Sequence, residues 1–292
     1  MNAVNYCFSV GDTRIGIQLP HCMEVEPEFA PFLTVSGEFD AQVRFEPTDS
    51  VSRPTGERIE SNHWFDAYRS EGKVVRIYRR NDTSVEPHAL GIQETADTFL
   101  VRYLRDKVNM VDSAKDCFSL IPLDDVLITQ GKFILHASLV DSVFGGILFC
   151  GASGAGKSTQ AELWRTYENA CVINGDRPII GKVNGKWRGY GSPYAGSSRY
   201  HVNRNVPITA ICMVEKAPCC AIHKYGKADA FRKLLSCAVM NVWNQSYTHR
   251  ILDLITHLAE DIPVYRLECT PDQNAVETVK EELIRKGSAT WK

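Results

Sequence analysis

The chain has no excess of charge of either sign. Lys+Arg number 33 and Asp+Glu 35, for a formal net charge of −2 over 292 residues. That removes the bulk attraction on which binding to nucleic acid or to an anionic membrane surface rests, and neither partner is expected. No apolar run approaches the roughly 20 residues of a membrane-spanning helix. There is no Cys-x-x-Cys pair and no Cys/His cluster at zinc spacing, although the chain holds 10 cysteines. Several of them, such as Cys150, Cys171 and Cys212, sit inside apolar stretches, where a free thiol behaves as a small hydrophobe. Residues 1–12 have neither a basic start nor a long apolar core, so no signal peptide is expected. The cysteines are therefore read as reduced thiols of a cytoplasmic protein. Internal repeats and low-complexity segments are missing too. What remains is ordinary globular composition, 44% hydrophobic and 23% charged, with length for one large domain or two small ones.

The first 120 residues read as strands. Residues 6–10 and 14–19 flank a Gly11-Asp12 turn, and 63–69 and 73–78 flank Glu71-Gly72, both hairpin patterns. Residues 89–93 and 98–104 suggest another pair. Five prolines between 20 and 58 make that stretch mostly loop, with one strand at 41–45. Beyond 120 the pattern changes to alternating strands and helices. The apolar runs 133–140 and 146–150 resemble strands buried on both faces. A helix follows at 158–167, a strand at 170–173, and a hairpin about Asn184-Gly185, whose residues accept positive φ. Further strands are expected at 207–215, 221–225 and 263–269, and helices at 227–240 and 247–260. Thr270, Pro271 and Gln273 form a capping box for a C-terminal helix. Two domains follow from this reading, a β-rich accessory or substrate domain over 1–120 and an α/β domain over 121–292.

The most informative segment is Gly151-Ala152-Ser153-Gly154-Ala155-Gly156-Lys157-Ser158, which fulfils G-x-x-x-x-G-K-[ST] completely. At ordinary residue frequencies a chance match in such a length arises roughly once in a hundred. A strand precedes it and a helix follows, as a phosphate loop requires. The glycines let successive backbone N–H groups turn inward on phosphate oxygens, and the helix presents its positive end to the same anion. Lys157 is placed for the β- and γ-phosphates and the Ser158 hydroxyl for Mg²⁺. Thr159 extends the phosphate-binding set.

Two residues bear on which chemistry the loop serves. Asp176 ends the apolar run 170–176, nineteen residues after Lys157. A carboxylate at the carboxyl end of a buried strand is well placed for Mg²⁺ or for a hydroxyl proton, though Asn174-Gly175-Asp176 also satisfies a plain turn. His136 lies in Phe133-Ile134-Leu135-His136-Ala137-Ser138. A lone histidine on an apolar strand is more often a hydrogen-bonded core residue than a ligand.

Residues 135–140, 146–158 and Asn174-Gly175-Asp176-Arg177-Pro178 together resemble the kinase domain of HPr kinase/phosphorylase, and more distantly ATP-dependent phosphoenolpyruvate carboxykinase. The likeness is closest to HPr-kinase-related bacterial proteins, some of which phosphorylate serine in peptides such as lasso-peptide precursors. It extends over 191–198, Asn205-Val206-Pro207-Ile208 and 268–272, and so covers roughly residues 120–290. The resemblance implies a P-loop domain of the HPr kinase/carboxykinase type with a mixed sheet, preceded by the β-rich domain. It implies an ATP- and Mg²⁺-dependent kinase acting on a hydroxyl, with serine of a peptide or protein as acceptor. By the same resemblance Asp176 activates the acceptor or holds Mg²⁺, and His136 contacts the γ-phosphate or the metal. Arg177, Arg199 and Arg204 are candidates to clamp phosphate or substrate. The departures are specific. Gly175-Asp176 stands where those families carry Asp-Asp, Thr159 stands where HPr kinases carry glutamate, and no glycine-rich segment of the phosphorolytic reaction is present. A carboxykinase-like enzyme for a small organic acid and a non-catalytic nucleotide-dependent regulatory module are the alternatives.

Overall fold

Short alternating segments punctuated by glycine and proline build the first half, and longer apolar runs the second. The computed structural model describes residues 3–35, 37–79 and 86–290. It divides into two compact units, Met1–Gln130 and Gly131–Lys292, so the first ends ten residues beyond position 120.

The first unit carries β1 (Val4–Val10), β2 (Thr13–Leu19), β3 (Ala41–Thr48), β4 (Glu57–Ser61), β5 (Phe65–Ser70), β6 (Lys73–Tyr78), β7 (Ala89–Gln93) and β8 (Thr98–Leu104). They form one sheet in the order β1-β2-β3-β8-β7-β6-β5-β4. Hairpin neighbours run antiparallel, while β3 lies parallel to both β2 and β8, which makes the sheet mixed. Two short helices, α1 (Ala114–Ser119) and α2 (Leu123–Thr129), close the unit. They stay with it because their polar groups are bound there. Arg76 on β6 forms a buried ion pair with Asp125 on α2, and the Tyr78 hydroxyl donates to Leu120 O at 2.9 Å. Phe118 on α1 packs edge-on against Phe8, with ring centroids 5.1 Å apart.

The second unit contains β9 (Lys132–Ile134), β10 (Ala137–Ser142), β11 (Gly145–Cys150), α3 (Lys157–Glu168), β12 (Cys171–Asn174), β13 (Ile179–Val183), β14 (Lys186–Tyr190), β15 (Asn205–Lys216), β16 (Ala221–Lys224), α4 (Lys227–Leu235), α5 (Gln245–Asp261), β17 (Val264–Cys269) and α6 (Gln273–Thr290). Its sheet runs β12-β10-β11-β15-β14-β13-β9, with β17 beside β15 and β16 beside β17. β11, β15 and β17 are parallel, and the other pairings antiparallel. The protein is thus mixed α/β with two mixed sheets. α3 packs on β10 and β11 beside α6. Its Ala161 and Trp164 join Val140, Ile147, Phe149, Val172 and Val276 in one apolar core. Among the described residues no helix is long and apolar enough to cross a membrane.

Three local expectations are corrected. The apolar run 133–140 is not one strand but two, β9 and β10, interrupted at Leu135-His136. There the backbone leaves the ladder, Leu135 N donating to Pro178 O at 3.2 Å and His136 N to Cys237 O at 2.8 Å. The helix expected over 227–240 ends at Leu235, because residues beyond it pair with the same break: Ala238 bridges Leu135, and Val239 N donates to Ile134 O at 3.0 Å. α6 starts at Gln273, and Asp272 rather than Thr270 caps it, its Oδ1 accepting from Asn274 N at 2.9 Å. Thr270 is engaged elsewhere, with its hydroxyl 3.2 Å from Cys220 Sγ.

Candidate functional site

β11 is buried along nearly its whole length and delivers the chain into the loop 151–156. Gly154 and Gly156 have φ of 76° and 109°, values that L side chains rarely adopt. Gly156 is also the N-cap of α3, and no side chain caps that helix. Its first N–H groups therefore keep their hydrogen-bonding capacity for an external acceptor. Ser158 and Thr159 lie exposed on the first turn. Lys157, only 7% exposed, folds back over the loop, its Nζ donating to Gly151 O at 3.1 Å and Ala152 O at 3.2 Å. Its ammonium group is thereby held at the loop mouth by two carbonyl hydrogen bonds.

The break between β9 and β10 gives His136 its position. The ring is 41% exposed and its Nδ1 lies 3.0 Å from Asp176 Oδ1. An ionised carboxylate only accepts, so Nδ1 carries the proton and Nε2 is the acceptor of the neutral ring. Burial lowers the imidazole pKa, and Lys157 and Arg177 lower it further, against the raising effect of Asp176. His136, Asp176 and Lys157, placed together by sequence reasoning, are thus brought into one electrostatic neighbourhood. Asp176 is 23% exposed on its side chain, and Arg177 Nε lies 3.5 Å from its Oδ2. Arg199 is exposed at a positive φ of 61°. Arg204 pairs instead with Asp141 at 2.6 Å.

Asp176 is held by a residue the sequence reading passed over. Asn174 is fully buried. Its Oδ1 accepts from Asp176 N at 3.0 Å and Arg177 N at 2.7 Å. Its Nδ2 donates to Ser192 O, Ser192 Oγ and Tyr194 O at 3.0, 3.2 and 3.3 Å. One side chain therefore fixes both the turn bearing the carboxylate and the segment 192–194. Ser138 on β10 adds a bond from its hydroxyl to Gly175 O at 2.9 Å. The Asx spacing, asparagine two residues before the aspartate, was the available signal for Asn174. Cys237, whose carbonyl accepts from His136 N, had none. Hydrogen bonding to Cys150 pulls its thiol down to about 6, assisted by Ser236, the Gly151 backbone and Lys157 and opposed by burial.

Comparison with known proteins adds little to this geometry. No protein-family model and no curated protein sequence matches the chain. Among the solved structures that match, the Hpr(Ser) kinase/phosphatase from Coxiella burnetii superimposes with a TM-score of 0.30 at 13% identity, over 54% of this chain and 92% of its own. At that level the functional reading stays with the chain's own residues.

Proposed function

We propose that the second unit is an ATP-dependent phosphotransferase that moves the γ-phosphoryl group to a hydroxyl, with serine of a peptide or protein as acceptor. The observation that carries the reading is the His136–Asp176 pair next to the Ala137–Cys150 register, where the chain enters a glycine-rich loop that opens an uncapped helix and to which Lys157 is bonded. Residues 151–159 fit a polyphosphate: the loop glycines expose backbone N–H groups, the α3 terminus favours an anion, and Lys157 contributes a full charge. When bound, Mg²⁺ would neutralise the phosphate oxygens, and the hydroxyl of Ser158 and carboxylate of Asp176 are the oxygen donors suited to a hard cation. The protein's own contribution is positioning and charge. The neutral His136 ring holds Asp176 through Nδ1–H, and Asn174 fixes the backbone beneath it. The carboxylate so oriented accepts the proton of the attacking hydroxyl.

The test is turnover. Purified protein is incubated with labelled Mg·ATP and a panel of serine-containing peptides, and phosphoserine and ADP are measured. Acceptor-dependent ADP release with label on serine is the expected result. Binding of Mg·ATP without turnover on any hydroxyl-bearing acceptor favours the regulatory-module reading, and dependence on oxaloacetate a carboxykinase-like one.

A further inference from the structure

A cavity of about 480 Å³ opens on the loop itself. Its walls are the loop residues Gly151 to Ala155, the end of β15 with Glu215 and Lys216, and Lys233 and Ser236 from the end of α4. The volume lies within the range of cavities that take a small-molecule ligand. The charged side chains on these walls are Lys216, Lys233 and Glu215.

Glu215 is already matched without Lys233. Its Oε2 accepts from Arg266 Nε at 2.8 Å. That bond, more than the charge of Lys233, keeps the carboxyl below its usual range against the effect of burial. Lys233 is the looser partner. Its Nζ lies 3.5 Å from Glu215 Oε1, longer than a normal hydrogen bond, and 5.8 Å from the centroid of the Tyr225 ring. The side chain is 43% exposed, and an ion pair so open to water is weak. A flexible four-carbon stem lets the ammonium turn at small cost. Lys233 thus stands on the wall of a cavity that the loop lines, with a charge its carboxylate neighbour does not need. Resting on the phosphate-binding reading of the loop above, we propose that Lys233 is a second phosphate-contacting cation of this site, its ammonium leaving Glu215 for the polyphosphate when the nucleotide binds. A phosphate oxygen offers it a charge-assisted hydrogen bond, stronger than the long contact it leaves.

The experiment is calorimetric titration of the full chain, in low salt, with the Mg²⁺ complexes of inorganic tripolyphosphate and of ATP. Lys233→Met keeps the stem and removes the charge, and should weaken both ligands by about tenfold, the worth of one charge-assisted bond at a partly exposed site. Lys233→Arg should stay within about threefold of wild type, since guanidinium also serves phosphate. Glu215→Gln removes the competing carboxylate while Arg266 keeps Glu268 at 2.7 Å. It should tighten tripolyphosphate by about threefold, and that gain should vanish when Lys233→Met is added. Equal binding by wild type and Lys233→Met, or a loss that Lys233→Arg shares in full, overturns the proposal while the loop reading stands. So does a gain from Glu215→Gln that survives Lys233→Met, since the carboxylate then acts through its field alone. A loss confined to ATP overturns it as well, because the contact is then to the nucleoside. Failure of wild type to bind either ligand overturns the loop reading, and this proposal with it.

Discussion

Replacing Asn174 by alanine tests the construction of the site more directly than any change to a reacting group. The amide makes five hydrogen bonds between 2.7 and 3.3 Å from a fully buried position. Alanine leaves the N–H groups of Asp176 and Arg177 and the carbonyls of Ser192 and Tyr194 without this partner. Each deeply buried orphan costs about 1–3 kcal/mol. Asp176 and Arg177 are partly open to water and Tyr194 O still accepts from Ser192 Oγ, so at the lower end, about 1 kcal/mol for each of the other three groups, the sum comes to about 3 kcal/mol. For a unit of this size each kcal/mol lowers Tm by about 2–4 °C, which makes the expected shift about 10 °C. Scanning calorimetry on the full chain should show it. At a temperature where the variant is folded, phosphoryl transfer should still fall by about tenfold or more, because Asp176 is no longer held in one orientation. A Tm shift below about 2 °C would refute the claim that Asn174 holds this turn and the 192–194 segment together.

Three further outcomes are expected. Lys157→Ala should lower transfer by about 10²–10³, the loss typical of one charge or donor aimed at the transition state, with the melting profile retained; near-normal turnover removes the loop from the mechanism. The His136 ring should titrate below 6.5 in an NMR experiment, and lower still in Asp176→Asn, because the carboxylate is what raises it. Since the folded value lies below the unfolded one, this contribution to stability is complete above about pH 6.5 and is lost as pH falls toward the folded value; an upward move in Asp176→Asn contradicts the pairing. In the first unit, Arg76→Leu strands the buried Asp125 carboxylate and should cost about 3–5 kcal/mol by denaturant unfolding, whereas Arg76→Met with Asp125→Leu should come close to wild type.

Much of the second unit was legible from local pattern. The succession of β11, a glycine-rich turn and α3 could be read because its glycines and the apolar strand and helix patterns beside them are contiguous. The two strand pairs about Gly11-Asp12 and Glu71-Gly72 followed from turn residues with positive φ. What escaped was decided at a distance. The apolar pattern of 133–140 is the same on both sides of His136, and only bonds to Pro178 and Cys237 break it. The early end of α4 is the other half of that event, since its next residues serve the break rather than the helix. β4 is polar and lies at a sheet edge, where one face need not be apolar. The capping box failed because Thr270 was already engaged with Cys220, a partner fifty residues away.

The same kind of distant contact decides what position 175 can hold. A Cβ on Gly175 would lie 1.7 Å from Ser198 Oγ and 2.3 Å from its Cβ. The segment carrying Ser198 is itself fastened, Ser198 Oγ donating to Ala195 O at 2.6 Å and Asn174 holding Ser192 and Tyr194. Gly196, at a φ of 58°, passes so close that a Cβ there would lie 2.9 Å from Asp176 Cβ and Cγ. No carboxylate can therefore occupy position 175 without lifting segment 195–198 off the site. The space that a second acidic side chain would need is filled by the segment that covers Asp176 on that side. The site thus exchanges one carboxylate for a close-fitting wall around the other, and its second titratable partner is a neutral imidazole. On the proposed reading, proton acceptance rests on Asp176 alone, and any cation must draw its remaining ligands from Ser158, phosphate and water.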